Sequence, residues 1–397
     1  MEFLSSRIKN MTPSATVAMN AATTELKSKG IDVINLSVGE PDFFTPDHIK
    51  DAAKKAIDNN KSFYPPVPGF PELRKTISEK LKRENNLDYA PDQIVVSVGV
   101  KNALANVILC LIDKNDEVIV PAPFWVTYTE LVKLAEGKNV IINGELKNKF
   151  KVTASQIEEV ITPKTKALLL CSPSNPAGSV YTKDELASIV KVLEKHPQVF
   201  VIADEIYEHI NFMGKHESIG QFESIKDRVI ILNGVSKAYA MTGYRIGYSA
   251  SPGWLAKACV KLQGQLITGP ATIAQSAAIE AMNGDQSCVK DMLKAFIRRK
   301  NLIVELLKGI PGFEVAEPDG AFYVFPRIDS YFGKSSGNRK INSSNDFCLY
   351  LLEEGHVGTV PGEAFGDPTC FRISFATSDD NIREAVKRMK TVLANLK

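Results

Sequence analysis

Five short aliphatic runs punctuate the middle of the chain: QIVVSVG (93–99), DEVIVPAP (116–123), KALLLCSPSNP (166–176), VFVIADEIY (199–207) and RVIILNG (228–234). Each is too short to cross a membrane and too continuous for a strand with one wet face. The pattern predicts parallel strands buried on both sides. Between the runs the spacing becomes helical, as in residues 101–113, where Leu104, Val107, Ile108 and Leu111 share one stripe. Strand alternating with helix predicts an α/β fold with a mostly parallel central sheet flanked by helices.

Beyond about residue 285 the rhythm changes. A long charged helix is expected over roughly 289–307, followed by short strands around FEVAEP and AFYVFP. The polar stretch GKSSGNRKINSSND (333–346) reads as a flexible loop. We therefore expect a large α/β domain over 46–285 and a smaller α+β domain made of 286–397 together with an N-terminal arm, 1–45, because neither terminal piece alone buries much surface.

Composition narrows the partners. The chain has 397 residues, 44% of them apolar, and a formal net charge of only +2, with no basic block to follow a phosphate backbone. Nucleic acid is not expected. No run of about 18 apolar residues and no signal-peptide pattern occurs, so a cytoplasmic protein without a membrane partner is expected. The six cysteines contain no C-x-x-C, and the five histidines never flank a carboxylate at helical spacing, so no metal is expected.

In open parallel sheets, ligands bind at the carboxyl ends of the strands. The first run ends in Gly99, Val100 and Lys101, opening a helix whose N–H groups suit an anion. The third ends at Asn175 in a tight turn; alone, that asparagine is better read as bonding its own backbone. The fourth delivers Asp204 and Tyr207, where a capping role is an equal reading, although a carboxylate there is costly to bury without a partner. The fifth delivers Ser236, Lys237 and Arg245. Together these strand ends offer a phosphate nest, an amide, an acid with a phenol, and a lysine with a serine and an arginine. A pyridine cofactor carrying a phosphate, an aldehyde, a phenolic oxygen and a basic ring nitrogen asks for that set. Lys237 would then form the Schiff base, Asp204 pair with the ring nitrogen, Asn175 and Tyr207 bond the phenolic oxygen, and Ser236 with Arg245 complete the phosphate site.

The motifs INLSVGEPDFFTP (34–46), SPSNPAG (172–178), ADEIYEH (203–209) and NGVSKAYAMTGYRIGY (233–248) resemble, in order and spacing, those of fold type I, class I aminotransferases. PSATVAMNA (13–21) and YPPVPGFPELRK (64–75) are most similar to the bacterial aspartate aminotransferase subgroup, which includes prephenate aminotransferases. The resemblance covers nearly the whole chain. It implies pyridoxal 5'-phosphate as cofactor, a homodimer with shared active sites, and ping-pong transfer of an amino group between aspartate and 2-oxoglutarate. It also implies roles for residues that strand ends do not explain. Gly39 would let a backbone amide approach the substrate α-carboxylate, Trp125 would lie against the cofactor ring, and Tyr64 would reach the neighbouring subunit's phosphate. Arg372 would clamp the α-carboxylate, and Lys101, with Ser14 and Thr16, would receive a distal carboxylate. Phe375 stands where the family often has tyrosine. Prephenate as an acceptor, alone or in addition, and a pyridoxal-phosphate lyase cutting C–S bonds are the alternatives.

Overall fold

The structure, a computed structural model, describes residues 3–397. Seven strands form the central sheet: β1 (Ile94–Val98), β2 (Glu117–Ala122), β3 (Lys138–Asn143), β4 (Thr165–Cys171), β5 (Phe200–Asp204), β6 (Val229–Gly234) and β7 (Ile246–Ala250). Their spatial order is β1-β7-β6-β5-β4-β2-β3. All pairings are parallel except those of β7, which runs antiparallel to both β1 and β6. The five aliphatic runs thus all point one way, and their carboxyl ends gather along one edge.

Alternation along each strand explains the burial. Val95, Val118, Leu169, Ile202 and Leu232 enter the apolar layer on one face, while Val96, Ile119, Leu168, Val201 and Ile231 enter the layer on the other. Covering both faces with helices makes both sets apolar, hence the continuous runs. The helix predicted over 101–113 is Gly99–Leu111, with Leu104, Val107, Ile108 and Leu111 buried as expected. Strand β3, at one edge of the sheet, escapes the pattern, and half of it is exposed.

A second, antiparallel sheet is built from β8 (Tyr323–Val324), β9 (Val360–Pro361) and β10 (Phe371–Ser374), in the order β9-β10-β8. The helices Ser287–Lys308 and Asp379–Leu393 bury Phe296, Ile303, Val386 and Met389 in the same cluster as Phe371 and Ile373. Early in the chain, Ile34–Asn35 pairs in parallel with Val357–Gly358, and Leu36 bonds both Gly358 and Ser374 through its backbone. From there the chain crosses to the central sheet, carrying Ser37 and Gly39 over the strand ends.

Two local expectations need correction. FEVAEP forms only an isolated bridge from Glu314 to Arg327; the neighbouring Pro326 has no N–H with which to extend a ladder. The stretch 333–346 is ordered as a hairpin, Ser335–Ser336 against Arg339–Lys340, and it leads into the helix Ser344–Gly355, where Ser343 Oγ accepts from Asp346 N at 3.1 Å. Ser, Asn and Gly serve turns and helix caps as readily as loops, so composition alone could not distinguish them.

Candidate active site

A cavity of about 240 Å³ opens where the five aliphatic runs end, lined by Thr16, Gly39, Val100, Lys101, Trp125, Asn175, Asp204, Tyr207, Ser236, Lys237, Arg245 and Arg372 among others. Four cations (Lys101, Lys237, Arg245, Arg372) and one carboxylate (Asp204) line it. Such a cavity suits a ligand that brings several negative charges and one positive one.

At the end of β1, Gly99 adopts φ +75°, and a Cβ there would lie 2.3 Å from Arg245 Nη2. Only glycine lets the arginine come that close. The helix it opens has no side-chain cap, so its first-turn N–H groups remain available to an acceptor. Arg245 itself sits at φ +58°, a conformation costly for a residue with a side chain, and donates through Nη1 to Thr242 O at 2.9 Å. Ser236, buried, completes this corner. The donor set fits a phosphate.

Lys237 is half-buried, and its Nζ donates to Gly39 O at 2.6 Å. Burial pushes its pKa down to about 8. Asp204 ends β5; burial pushes its carboxyl up to about 6, against the hydrogen bonds of Tyr128 Oη to Oδ2 (2.8 Å) and Ile206 N to Oδ1 (3.3 Å). A half-buried amine and a buried acid, each displaced toward neutrality in one cleft, mark a site of chemistry. With an aldehyde within reach of Lys237 and a basic ring nitrogen at Asp204, the residues present fit pyridoxal phosphate.

At the opposite wall, Arg372 on β10 is 1% exposed and directs its guanidinium at neutral oxygens: Nη1 to Asn175 Oδ1 (3.0 Å) and Nη2 to Ser37 O (2.6 Å). Its plane lies over the Tyr323 ring, 4.6 Å from the centroid. Tyr207 Oη and Tyr323 Oη are 2.9 Å apart. Trp125 lines the cavity with Lys101 Nζ 5.0 Å from its ring centroid, and burial followed by Arg245 lowers the Lys101 pKa.

The structure adjusts several expectations. Gly39 O accepts from Lys237, and a side chain at this glycine would meet Tyr323 Oη at 2.5 Å. Ser14 lies one hollow away, on a cavity of about 460 Å³ that shares Lys101, where its Oγ accepts from Val17 N to cap the helix Ala15–Ser28. Thr16 does reach the main cavity, with its buried hydroxyl unpartnered. Tyr64 is 90% exposed and does not line its own chain's cavity. Phe375 is fully buried in the core. Sequence reasoning missed Tyr128 and Tyr323, whose aromatic surroundings in APFWVTY and AFYVFP read as core; only the spacing of Tyr128, three residues after Trp125, hinted at a shared face.

Carboxylates and imidazoles also cluster behind Asp204, as Glu84, Glu208 and His209 and as Glu205, Glu208 and His216. Glu208 is already held there by Lys80, Asn85 and Asn233.

Residues 31–389 match the family model described as aminotransferase class I and II. A Rickettsia bellii protein named probable aspartate/prephenate aminotransferase is 46% identical over 399 aligned residues covering all of both chains. The aspartate/prephenate aminotransferase of Nitrosomonas europaea is 44% identical over 98% of this chain and 100% of its own. Among solved structures, the aspartate aminotransferase of Rhizobium meliloti superposes with a TM-score of 0.95 at 41% identity over 99% of both chains. That of Thermus thermophilus with maleate gives 0.93 at 38% over 99% of this chain and 100% of that one. With fold, strand-end cleft and sequence in agreement over its length, the chain belongs to the class I and II aminotransferases, fold type I enzymes that work with pyridoxal 5'-phosphate and exchange amino acids for 2-oxo acids.

Proposed function

We propose that the protein transfers the amino group of L-aspartate to 2-oxoglutarate, giving oxaloacetate and L-glutamate, by a two-stroke ping-pong cycle. The observation that carries this reading is the buried Arg372 guanidinium, which faces neutral oxygens in a cleft that also holds the depressed amine of Lys237. A planar fork without a carboxylate of its own suits the α-carboxylate common to amino and 2-oxo acids. When bound, pyridoxal phosphate supplies a carbon that accepts the amino group and a ring that takes up the electron pair left by the departing Cα proton.

The chain's own residues do the rest. Ser236, Arg245 and the first-turn N–H groups of Gly99, Val100 and Lys101 hold the phosphate. Lys237 is the attachment point and, once released by substrate, moves the proton from Cα, a task its lowered pKa suits. Asp204 holds the proton on the ring nitrogen, and Tyr207 with Asn175 orients the phenolic oxygen. Trp125 covers one ring face and keeps water out. Lys101, at the rim beside Thr16 and near Ser14, receives the distal carboxylate; the maleate named with the Thermus thermophilus structure is likewise a dicarboxylate. Prephenate, paired with aspartate in the relatives' names, carries a 2-oxo acid and a second carboxylate and suits the same two cationic ends.

The exposed Tyr64, Phe63 and Phe44 support a homodimer in which Tyr64 serves the neighbour's phosphate. The arm and second sheet (1–45, of which residues 1 and 2 lie outside the described part, and 286–397) then form the small domain against 46–285. Free thiols throughout agree with a cytoplasmic setting. Initial rates with a panel of amino donors against 2-oxoglutarate test the reading: aspartate should lead. Release of pyruvate and sulfide from cysteine as the main activity would overturn it in favour of a lyase.

A further inference from the structure

Asp204 has a neighbour whose role the functional reading leaves open. Tyr128, at the start of the helix Thr127–Leu134, is 2% exposed, and its ring stands edge-on to Trp125 at 5.4 Å between centroids. Its hydroxyl donates to Asp204 Oδ2 at 2.8 Å, while the other carboxylate oxygen has only the longer bond from Ile206 N. We propose that Tyr128 is a positioning residue for the amino-transfer reaction: its hydroxyl keeps Asp204 ionised and aimed at the cofactor's ring nitrogen. The inference rests on the reading of Asp204 given above.

The groups around Asp204 leave this task to Tyr128. From the end of β4 comes the neutral thiol of Cys171, whose pKa burial and Asp204 raise to about 12. From its own segment comes Glu205, which disfavours the charge; Glu205 is itself engaged by Ser218 Oγ at 2.6 Å and by His216 at 3.2 Å. Lys237 favours the charge only at a distance and is the attachment point. Among the described residues, Tyr128 is therefore the one side chain that stabilises the ionised form by direct contact. Burial, followed by the Asp204 charge, raises the phenol's own pKa well above its ordinary value, so the hydroxyl remains a donor at every working pH. Without it, an acid already at about 6 would move further into the neutral range. A neutral acid cannot hold the ring nitrogen protonated, and a less electron-poor ring lets the nitrogen attached to it at Lys237 keep its own proton to higher pH.

The experiment compares wild-type and Tyr128→Phe holoenzymes, since phenylalanine retains the ring packing and removes only the hydroxyl. We expect kcat for aspartate to fall about tenfold with KM within about twofold, and the pH midpoint of the visible absorbance to rise by about half a unit to one unit, corresponding to the loss of one charge-assisted hydrogen bond. Tyr128→His, which keeps an N–H donor, should recover most of the midpoint. An unchanged kcat, or a lower kcat with an unmoved midpoint, would reduce Tyr128 to packing and overturn the proposal. If Tyr128→Phe does not fold, the donor and non-donor pair Tyr128→His and Tyr128→Met carries the same test. A wild-type protein with no pH-dependent visible absorbance would instead sink the underlying functional reading, which separates the two failures.

Discussion

Asp204 and Glu208 lie four residues apart on one segment, both buried, yet their surroundings are opposite. Glu208 receives Lys80 and the amides of Asn85 (2.6 Å) and Asn233 (2.8 Å). Burial acts to raise its pKa, but Lys80, with His209 and His216, holds it below the usual carboxylate range. On the other side of the segment, Asp204 meets a phenol and a backbone N–H, while the cations of its cleft, Lys237 and Arg372, donate to neutral oxygens. One cluster has its charges matched within the chain. The other keeps charges apart in a cleft at a cost to stability, which is sensible where a ligand brings the counter-charges. Charge matching thus separates architecture from active site more reliably than burial or residue type.

The comparison breaks most visibly at Lys80. Lys80→Met leaves Glu208 buried without its cation and should destabilise the fold by about 3–5 kcal/mol in chemical denaturation, with kcat per folded molecule unchanged. Adding Glu208→Leu should recover most of the loss. Because the folded pKa of Glu208 lies below the unfolded 4.5, its contribution is present above that value and lost as pH falls through the folded one. The stability difference between wild type and Lys80→Met should therefore hold from pH 6 to 8 and shrink in acid. Arg372→Lys should leave stability nearly unchanged but lower kcat/KM about a hundredfold for every amino acid, since an ammonium cannot make the forked contact.

Lys101→Ser should cost aspartate about tenfold in kcat/KM, because the lysine sits at a partly solvated rim, and leave alanine and phenylalanine little changed. An equal loss for all three would assign Lys101 to the phosphate corner alone. The smallest effect is expected in the cofactor-free protein. Lys237 has a folded pKa of about 8, below its ordinary 10.5, so the folded chain binds fewer protons between those values and stability should rise with pH across that window. Lys237→Met should accordingly stabilise the cofactor-free protein by about 1–2 kcal/mol at pH 7 and abolish the rise.

The parallel strands and their polar ends were legible in sequence because a lysine, an acid or an amide closing a doubly buried aliphatic run conflicts with its surroundings, and Lys237, Asp204 and Asn175 each do so. Tyr128 and Tyr323 were not legible, since an aromatic among apolar neighbours conflicts with nothing; their hydroxyls acquire meaning only when folding sets them beside Asp204 and Tyr207. Gly39 was found by resemblance, but its steric reason, the Tyr323 hydroxyl, comes from a strand nearly three hundred residues away in the chain. Likewise Lys80 gave no sign that it would be buried, because its helix Pro71–Asn85 is strongly charged elsewhere, and the partner that neutralises it lies on another segment.

The proposed site turns on Lys237, whose amine is bonded to the Gly39 carbonyl and lowered in pKa just beyond β6, as the point of cofactor attachment. Borohydride reduction of the pyridoxal-phosphate-loaded protein, followed by peptide mapping, addresses it directly. A single stable phosphopyridoxyl adduct on Lys237, absent from Lys237→Ala along with turnover, is expected; an adduct at Lys101, Lys80 or any other lysine, with Lys237 unlabelled, would overturn the assignment.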